Sequence, residues 1–214
     1  CLSRKKTEEV TSFLDDNGFN ARAYHAGLES EVRKNVQGLF MTEEALIVVA
    51  TTAFGMGIDK PDIRYVVHVN LPSSMEAYYQ EIGRAGRDGN PSDTLLIYGL
   101  DDLVLRRKMI EESNTDDDYR FREHKGLDYL LSYCETPDCR RKVLLSYFDD
   151  HCLSCGNCDN CLNPPTLIQG TELAQQLLST IYKTGQYFGQ VHVLNVLRGS
   201  EDFKVLQKGH DKLS

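Results

Sequence analysis

Ala45-Leu46-Ile47-Val48-Val49-Ala50 is a continuous apolar run of strand length. A loop of small residues follows it, Thr51-Thr52-Ala53-Phe54-Gly55-Met56-Gly57-Ile58-Asp59-Lys60-Pro61. A run of this kind predicts a strand buried on both sides, as in parallel sheets. On its N-terminal side, residues 5–17 carry Val10, Phe13 and Leu14 at helical spacing and stop at Gly18. Residues 19–25 read as a strand, and residues 29–40 as a helix with Val32, Val36 and Leu39 on one face. On its C-terminal side come a strand over 64–69, a helix over 75–85 and a strand over 94–98. Strands alternating with helices predict an α/β domain at 1–99, a parallel sheet with helices on both faces.

From Leu100 the strands stop. Helices are predicted over 100–112 and 119–133, parted by Ser113-Asn114-Thr115-Asp116-Asp117-Asp118, an acidic loop read as a solvated connector. A short helix over 139–148 opens with Arg140-Arg141-Lys142, and Asn163-Pro164-Pro165 reads as a hinge. Two further helical stretches follow, 172–184 and 191–198. The division expected is 1–99, then a helical subdomain at 100–165, then a third module at 166–214.

At 214 residues with 41% hydrophobic content, the chain can bury a core, and wholesale disorder is excluded. No apolar run approaches the roughly 18–20 residues needed to cross a bilayer, so no membrane partner is expected. Net charge is −8, which argues against a small module that binds duplex DNA by phosphate neutralisation alone. Such a balance leaves room for a local basic groove on a larger enzyme. Seven cysteines without a secretory leader favour metal or free thiols over a disulfide scaffold. The first residue is Cys1, reading like the end of a strand entering a helix, and an upstream part of the same protein is expected.

Ligands of parallel α/β sheets gather at the carboxyl ends of the strands. The loop 51–61 occupies such a place, where Gly55 and Gly57 permit close backbone approach and Thr51 and Thr52 add hydroxyls. A tight structural turn explains that loop alone about as well. The second such stretch is Gln80-Glu81-Ile82-Gly83-Arg84-Ala85-Gly86-Arg87-Asp88-Gly89. Gln80, Arg84 and Arg87 fall at i, i+4 and i+7, one face of a helix or its last turn. Two guanidiniums and an amide directed together suit polyphosphate oxygens; the plain alternative is surface arginines paired with Glu81 and Asp88. The chain contains no Gly-x-x-x-x-Gly-Lys-Ser/Thr phosphate loop and no acidic pair at a strand end for magnesium. It can contribute arginines to a nucleotide held elsewhere.

Cys155-Gly156-Asn157-Cys158-Asp159-Asn160-Cys161 places thiols three apart, and Gly156 frees the backbone to turn between them. Such knuckles, completed by a distant thiol, build tetrahedral zinc sites, and Cys139 offers one from a separate segment. Cys152, Cys155, Cys158 and Cys161 also fall every third residue, like the thiolate run of an iron–sulfur cluster, though without the longer last gap and Cys-Pro of that motif.

Tyr24-His25-Ala26-Gly27-Leu28, the stretch from Val48 to Pro61, and Tyr78-Tyr79-Gln80-Glu81-Ile82-Gly83-Arg84-Ala85-Gly86-Arg87-Asp88-Gly89 resemble motifs IV, V and VI of the RecQ family of DNA helicases. Cys139-Arg140-Arg141 with Cys155, Cys158 and Cys161 resembles that family's zinc-binding subdomain. The last stretch, through Gly209-His210-Asp211-Lys212-Leu213, resembles the opening of its winged helix. DEAD-box RNA helicases usually carry His-Arg where this chain has Gln80-Glu81.

The resemblance implies a RecA-like α/β domain, a helical zinc-binding subdomain and a partial winged helix of a 3′-to-5′ ATP-dependent DNA-unwinding enzyme. It implies structural Zn2+ on Cys139, Cys155, Cys158 and Cys161, leaving Cys152 spare. ATP and Mg2+ would be bound mainly by a first RecA-like domain outside these residues. Arg87 is then the arginine finger, Arg84 supports it, and Gln80 couples nucleotide state to the cleft. Gly57 and Asp59 are expected beside the nucleotide, and Thr51 and His25 on DNA. The expected compartment is the bacterial cytoplasm at the nucleoid, or the nucleus of a eukaryote. The rival reading is a non-catalytic zinc module on an α/β scaffold, which has no use for convergent cations at a strand-end loop.

Overall fold

The computed structural model describes residues 1–43, 45–55 and 58–213. They form two compact units, Cys1–Asn163 and Pro164–Ser214.

In the first unit, α1 (Arg4–Asp16) starts where the Ser3 side chain accepts a hydrogen bond from the Lys6 amide, and β1 (Ala21–Tyr24) follows. The helix α2 (Ser30–Thr42) leads to β2 (Ile47–Ala50), which pairs in parallel with β1 in the register Ala21↔Ile47 to Tyr24↔Ala50. Both helices pack on this strand pair. The second pair is β3 (Tyr65–His68) with β4 (Asp93–Leu96), also parallel, joined through α3 (Met75–Ile82). The Cys1 amino group donates to the Ala50 carbonyl, and the Leu2 amide to the Asn70 side chain, so the first residues tie the two pairs together.

The strands are parallel as expected, but they are less enclosed than the apolar runs suggest. Ile47 is 37% exposed. On the β3–β4 pair, His68 and Leu96 face α3, whereas Tyr65, Val67, Leu95 and Ile97 lie open on the opposite face. An apolar run reports strand propensity; what covers each face depends on the helices that reach it.

The helices α4 (Leu100–Glu111), α5 (Asp117–Glu135), α6 (Arg140–Tyr147) and the short α7 (Asp159–Leu162) complete this unit. The acidic run before α5 is a helix start, because the Asp116 carboxylate accepts from the Tyr119 amide and Asp117 and Asp118 fall in the first turn. Negative charge is favourable there. Leu71, Met75 and Tyr78 pack with Leu130, Tyr133 and Leu144 in one buried cluster, so the helical segment after Leu100 shares its core with α3.

The second unit holds α8 (Thr171–Lys183), α9 (Gln190–Leu197), α10 (Phe203–Gln207) and a 3-10 turn at His210–Leu213. Val193, Val196 and Val205 form its interior, while Phe188 stacks on His192, which is hydrogen-bonded to His210 at 2.8 Å. Among the described residues no helix is long and apolar enough to cross a membrane.

Candidate functional site

The loop after β2 is anchored by aromatic packing. Phe54 meets Tyr24 at 4.7 Å and Phe40 at 5.3 Å between ring centroids. Farther along, the Lys60 ammonium lies over the Phe40 ring and pairs with Asp62 at 3.3 Å. Thr51, half-buried, opens the loop with its amide on the Tyr24 carbonyl at 3.2 Å. Met56 and Gly57 lie outside the described residues, and with them the expectation for Gly57.

The helix α3 ends at Ile82, so the helical i, i+4, i+7 face reaches only Gln80, which is exposed at its C-terminal turn. Arg84 and Arg87 lie beyond the helix and are aimed by backbone turns. The Gly86 amide donates to the Ile63 carbonyl at 2.9 Å and the Asp88 amide to the Pro61 carbonyl at 3.2 Å, pinning the arginine segment beside the loop. Gly86 has φ +64°, and a Cβ there would meet Ser92 Oγ at 2.6 Å, so no other residue fits without strain.

The two arginines converge on the loop. Arg84 Nη1 donates to the Gly55 carbonyl at 2.7 Å. Contact is close enough that a Cβ on Gly55 would sit 2.7 Å from Arg84 Nη2. Arg87 Nη1 donates to Asp59 Oδ1 at 2.6 Å, and its Nε to the Gly83 carbonyl at 3.2 Å. The acids suspected of neutralising them are engaged elsewhere: Glu81 bonds His68 at 2.6 Å and Asp88 bonds Arg64 at 2.5 Å. The Arg64 guanidinium, with Asn90, holds Asp88 well below the usual carboxylate range. Arg84 thus meets a backbone carbonyl of the loop and Arg87 the exposed carboxylate of Asp59.

His25 does not join this group. It is 3% exposed, with Nε2 3.2 Å from Glu8 and its Nδ1 buried without a hydrogen-bond partner. In this structure it braces α1 against the end of β1 and has no surface to offer a ligand. Chain position gave no warning, because a strand-end histidine can turn inward as readily as outward. His68 is likewise only half satisfied, its Nε2 on Glu81 and its Nδ1 unpartnered.

The sulfurs of Cys139, Cys155, Cys158 and Cys161 all lie within 4.8 Å of one another, with Cys152 outside the group. Zinc–sulfur bonds of about 2.3 Å in a tetrahedron demand sulfur separations of about 3.8 Å, and Cys155 and Cys161 stand at 4.0 Å. Backbone amides already point at the sulfurs, Cys155 N to Cys139 Sγ at 3.3 Å and Arg140 N to Cys158 Sγ at 3.4 Å. Burial opposes a thiolate at Cys139, but the amides of Cys155 and Lys142 and the thiols of Cys155 and Cys161 outweigh it and bring the group down to about 6. For Cys161 the Gly156 amide favours the thiolate, yet Cys158, Cys139 and Cys155 push it up to about 11. Four thiolates so close repel one another unless a cation sits among them, so the donor set fits a zinc ion.

A supporting frame surrounds the thiols that residue spacing did not reveal. Arg140 donates to the carbonyls of Tyr133 and Cys134 at the end of α5 and forms an ion pair with Asp159 at 2.9 Å. Asn160 donates to the carbonyls of Thr136 and Asp138. The readable signal was an Asp-Asn pair enclosed by Cys158 and Cys161. These contacts account for Arg140 as a structural residue and leave Arg141 and Lys142 exposed.

Comparison with known proteins supplies the family. Residues 1–89 match the description "Helicase conserved C-terminal domain", residues 100–162 "RecQ zinc-binding" and residues 164–214 "RQC domain". A protein of Haemophilus influenzae named ATP-dependent DNA helicase RecQ is 44% identical over 100% of this chain and 35% of its own length. One of the same name from Bacillus subtilis is 40% identical over 99% of the chain and 36% of its own. The ATP-dependent helicase SGS1 of Saccharomyces cerevisiae is 37% identical over 100% of the chain and 15% of its own. The chain therefore spans about a third of the bacterial relatives it matches and less of the yeast one. With these three domain matches in succession and this identity along its whole length, the chain belongs to the RecQ family.

Proposed function

We propose that the whole protein is a 3′-to-5′ ATP-dependent DNA helicase acting in repair and recombination, and that this chain is its second RecA-like domain, zinc-binding subdomain and the start of a winged helix, divided at 1–99, 100–165 and 166–214. The observation that carries the reading is the convergence of Arg84 and Arg87 on the loop after β2 in a chain of this family. ATP and Mg2+ would be held mainly by a phosphate loop on another domain of the protein, since no such loop occurs in these residues. Arg87 would then reach the γ-phosphate as the finger, with Arg84 fixing the loop that faces the nucleotide. Gln80 would relay nucleotide state, and Thr51 would contact the DNA backbone. ATP supplies the phosphoryl chemistry, and the arginines supply charge where charge develops. That contribution falls mainly on the transition state and in other phosphoryl-transfer enzymes is worth ~10³–10⁵ in rate.

A Zn2+ ion on Cys139, Cys155, Cys158 and Cys161 is proposed as structural, supported by the match to a zinc-binding family and the clustering of the sulfurs. Single-stranded DNA and duplex junctions are the proposed substrates, with no membrane partner. The protein is assigned to the nucleoid of a bacterial cytoplasm, or to the nucleus of a eukaryote.

The decisive experiment is Arg87→Ala in the full-length protein. ATP turnover should fall by at least 100-fold, on the scale of a lost arginine finger, while ATP and single-stranded DNA affinities stay near wild type. Arg87→Lys should rescue poorly, because an ammonium lacks the planar fork. Affinity collapsing in step with turnover, or turnover unchanged, would remove Arg87 from this role.

A further inference from the structure

Arg87 is not free in this structure. Its guanidinium lies on its own domain, with Nη1 on Asp59 at 2.6 Å and Nε on the Gly83 carbonyl at 3.2 Å. The neighbouring Arg84 is held differently, by a neutral backbone carbonyl in a half-buried position. Of the two side chains in the Arg87 pair, Arg87 is 41% and Asp59 84% exposed. Ion pairs in such surroundings are worth little, so this one biases the position of Arg87 by no more than about fivefold. The contact therefore favours one position of the guanidinium and is weak enough to be lost to any denser negative charge. A polyphosphate offers several oxygens and more charge than one carboxylate, and can accept the same planar fork.

We propose that Asp59 is a release latch for Arg87, a positioning residue that holds the guanidinium on the loop after β2 until phosphate oxygens displace it. This rests on the reading of Arg87 as the residue that meets the nucleotide. The loop supports it physically: Phe54 is packed between Tyr24 and Phe40, and Lys60 is tied to Asp62 and to the Glu43 carbonyl. In sequence Asp59 stands between Phe54 and Lys60, both of which are held by contacts on their own side of the loop. No covalent bond is made or broken; the Asp59 ion pair and the hydrogen bond to the Gly83 carbonyl are exchanged for contacts to phosphate oxygens.

The test uses the full-length protein with Asp59→Asn, which keeps shape and removes charge. The first readout is independent of activity: phenylglyoxal modification of Arg87, followed by peptide mass spectrometry with Arg84 as internal reference. Asp59→Asn should speed modification of Arg87 about two- to fivefold, the range set by an exposed pair, and leave Arg84 unchanged. The second is ATP turnover without DNA, which should rise by a similar factor. An unaltered rate of Arg87 modification overturns the latch, as does a fall in turnover with a raised KM for ATP, which would make Asp59 a nucleotide contact. Arg87→Ala measured alongside separates the two ideas. Faster modification in Asp59→Asn together with undiminished turnover in Arg87→Ala would uphold the contact and reject the finger.

Discussion

Tyr78 of α3 and Tyr133 of α5 meet with ring centroids 5.4 Å apart and planes inclined by 50°. One residue belongs to the helix that leads into the arginine segment, the other to the helix whose last carbonyls are held by Arg140 beside the cysteine cluster. The metal centre and the arginine segment are therefore attached to a common core, and disturbance of either reaches the other through packed side chains.

Leu130 lies in that core with 0% exposure. Leu130→Ala should destabilise the first unit by about 2–5 kcal/mol, the usual result of emptying a leucine site. Urea denaturation followed by circular dichroism and by metal release should show both changing together. Metal retained after the strands have unfolded would contradict a shared core.

Metal analysis should find one zinc per chain. Cys161→Ser and Cys139→Ser should each lose it and lower the melting temperature, because metal binding at such a site contributes folding free energy. Cys152→Ser should keep full occupancy, since its sulfur lies outside the cluster. Iron in place of zinc, or full zinc in Cys139→Ser, would overturn the assignment.

Gly55→Ala probes the arginine segment without touching an arginine. The added Cβ would lie 2.7 Å from Arg84 Nη2 and 3.0 Å from its Cζ, so the guanidinium has to swing away. The atoms displaced are the far end of a flexible side chain, and stability should change by less than about 1 kcal/mol. ATP turnover of the full-length protein should nevertheless drop at least tenfold, the scale expected when a positioned group is misplaced. Equal turnover would mean that the Arg84–Gly55 contact is dispensable.

The Tyr147 hydroxyl donates to Glu76 at 2.6 Å. This bond draws the Glu76 carboxyl below its ordinary value of 4.5 and pushes the Tyr147 phenol from 10 up to about 12. The stabilisation from Glu76 is present above pH 4.5 and is lost as the pH falls through the lower folded value. That from Tyr147 is present below pH 10 and is lost as the pH rises toward 12. Tyr147→Phe should cost about 0.5 kcal/mol at neutral pH, because the bond is exposed. Melting curves should show the gap from wild type narrowing at both extremes; a constant gap would assign the effect to packing.

Much of this protein follows from local sequence. Ala45–Ala50 announced a strand because β-branched and aliphatic side chains favour extended backbone, and the first helix ends just before Gly18, where helix termination is local chemistry. The thiol spacing from Cys155 to Cys161 announced a metal knuckle, since a ligand pair three residues apart needs no distant partner to be recognised. The motifs at 24–28, 48–61 and 78–89 carry the family resemblance in the sequence itself.

The tertiary structure decided what depends on residues far apart in the chain. Residue spacing by itself admits both Cys139 and Cys152, and it is α5 and α6 that bring Cys139 against the knuckle. The fold turned His25 inward onto Glu8 and left one face of β3 and β4 open, since burial belongs to the neighbours a side chain meets and not to its own polarity. It stopped α3 at Ile82, so that turns pinned to Pro61 and Ile63, and no helical face, aim Arg84 and Arg87. Asp59 lies 28 residues before Arg87, and no periodicity spans that interval; only the folded chain could place the carboxylate under the guanidinium.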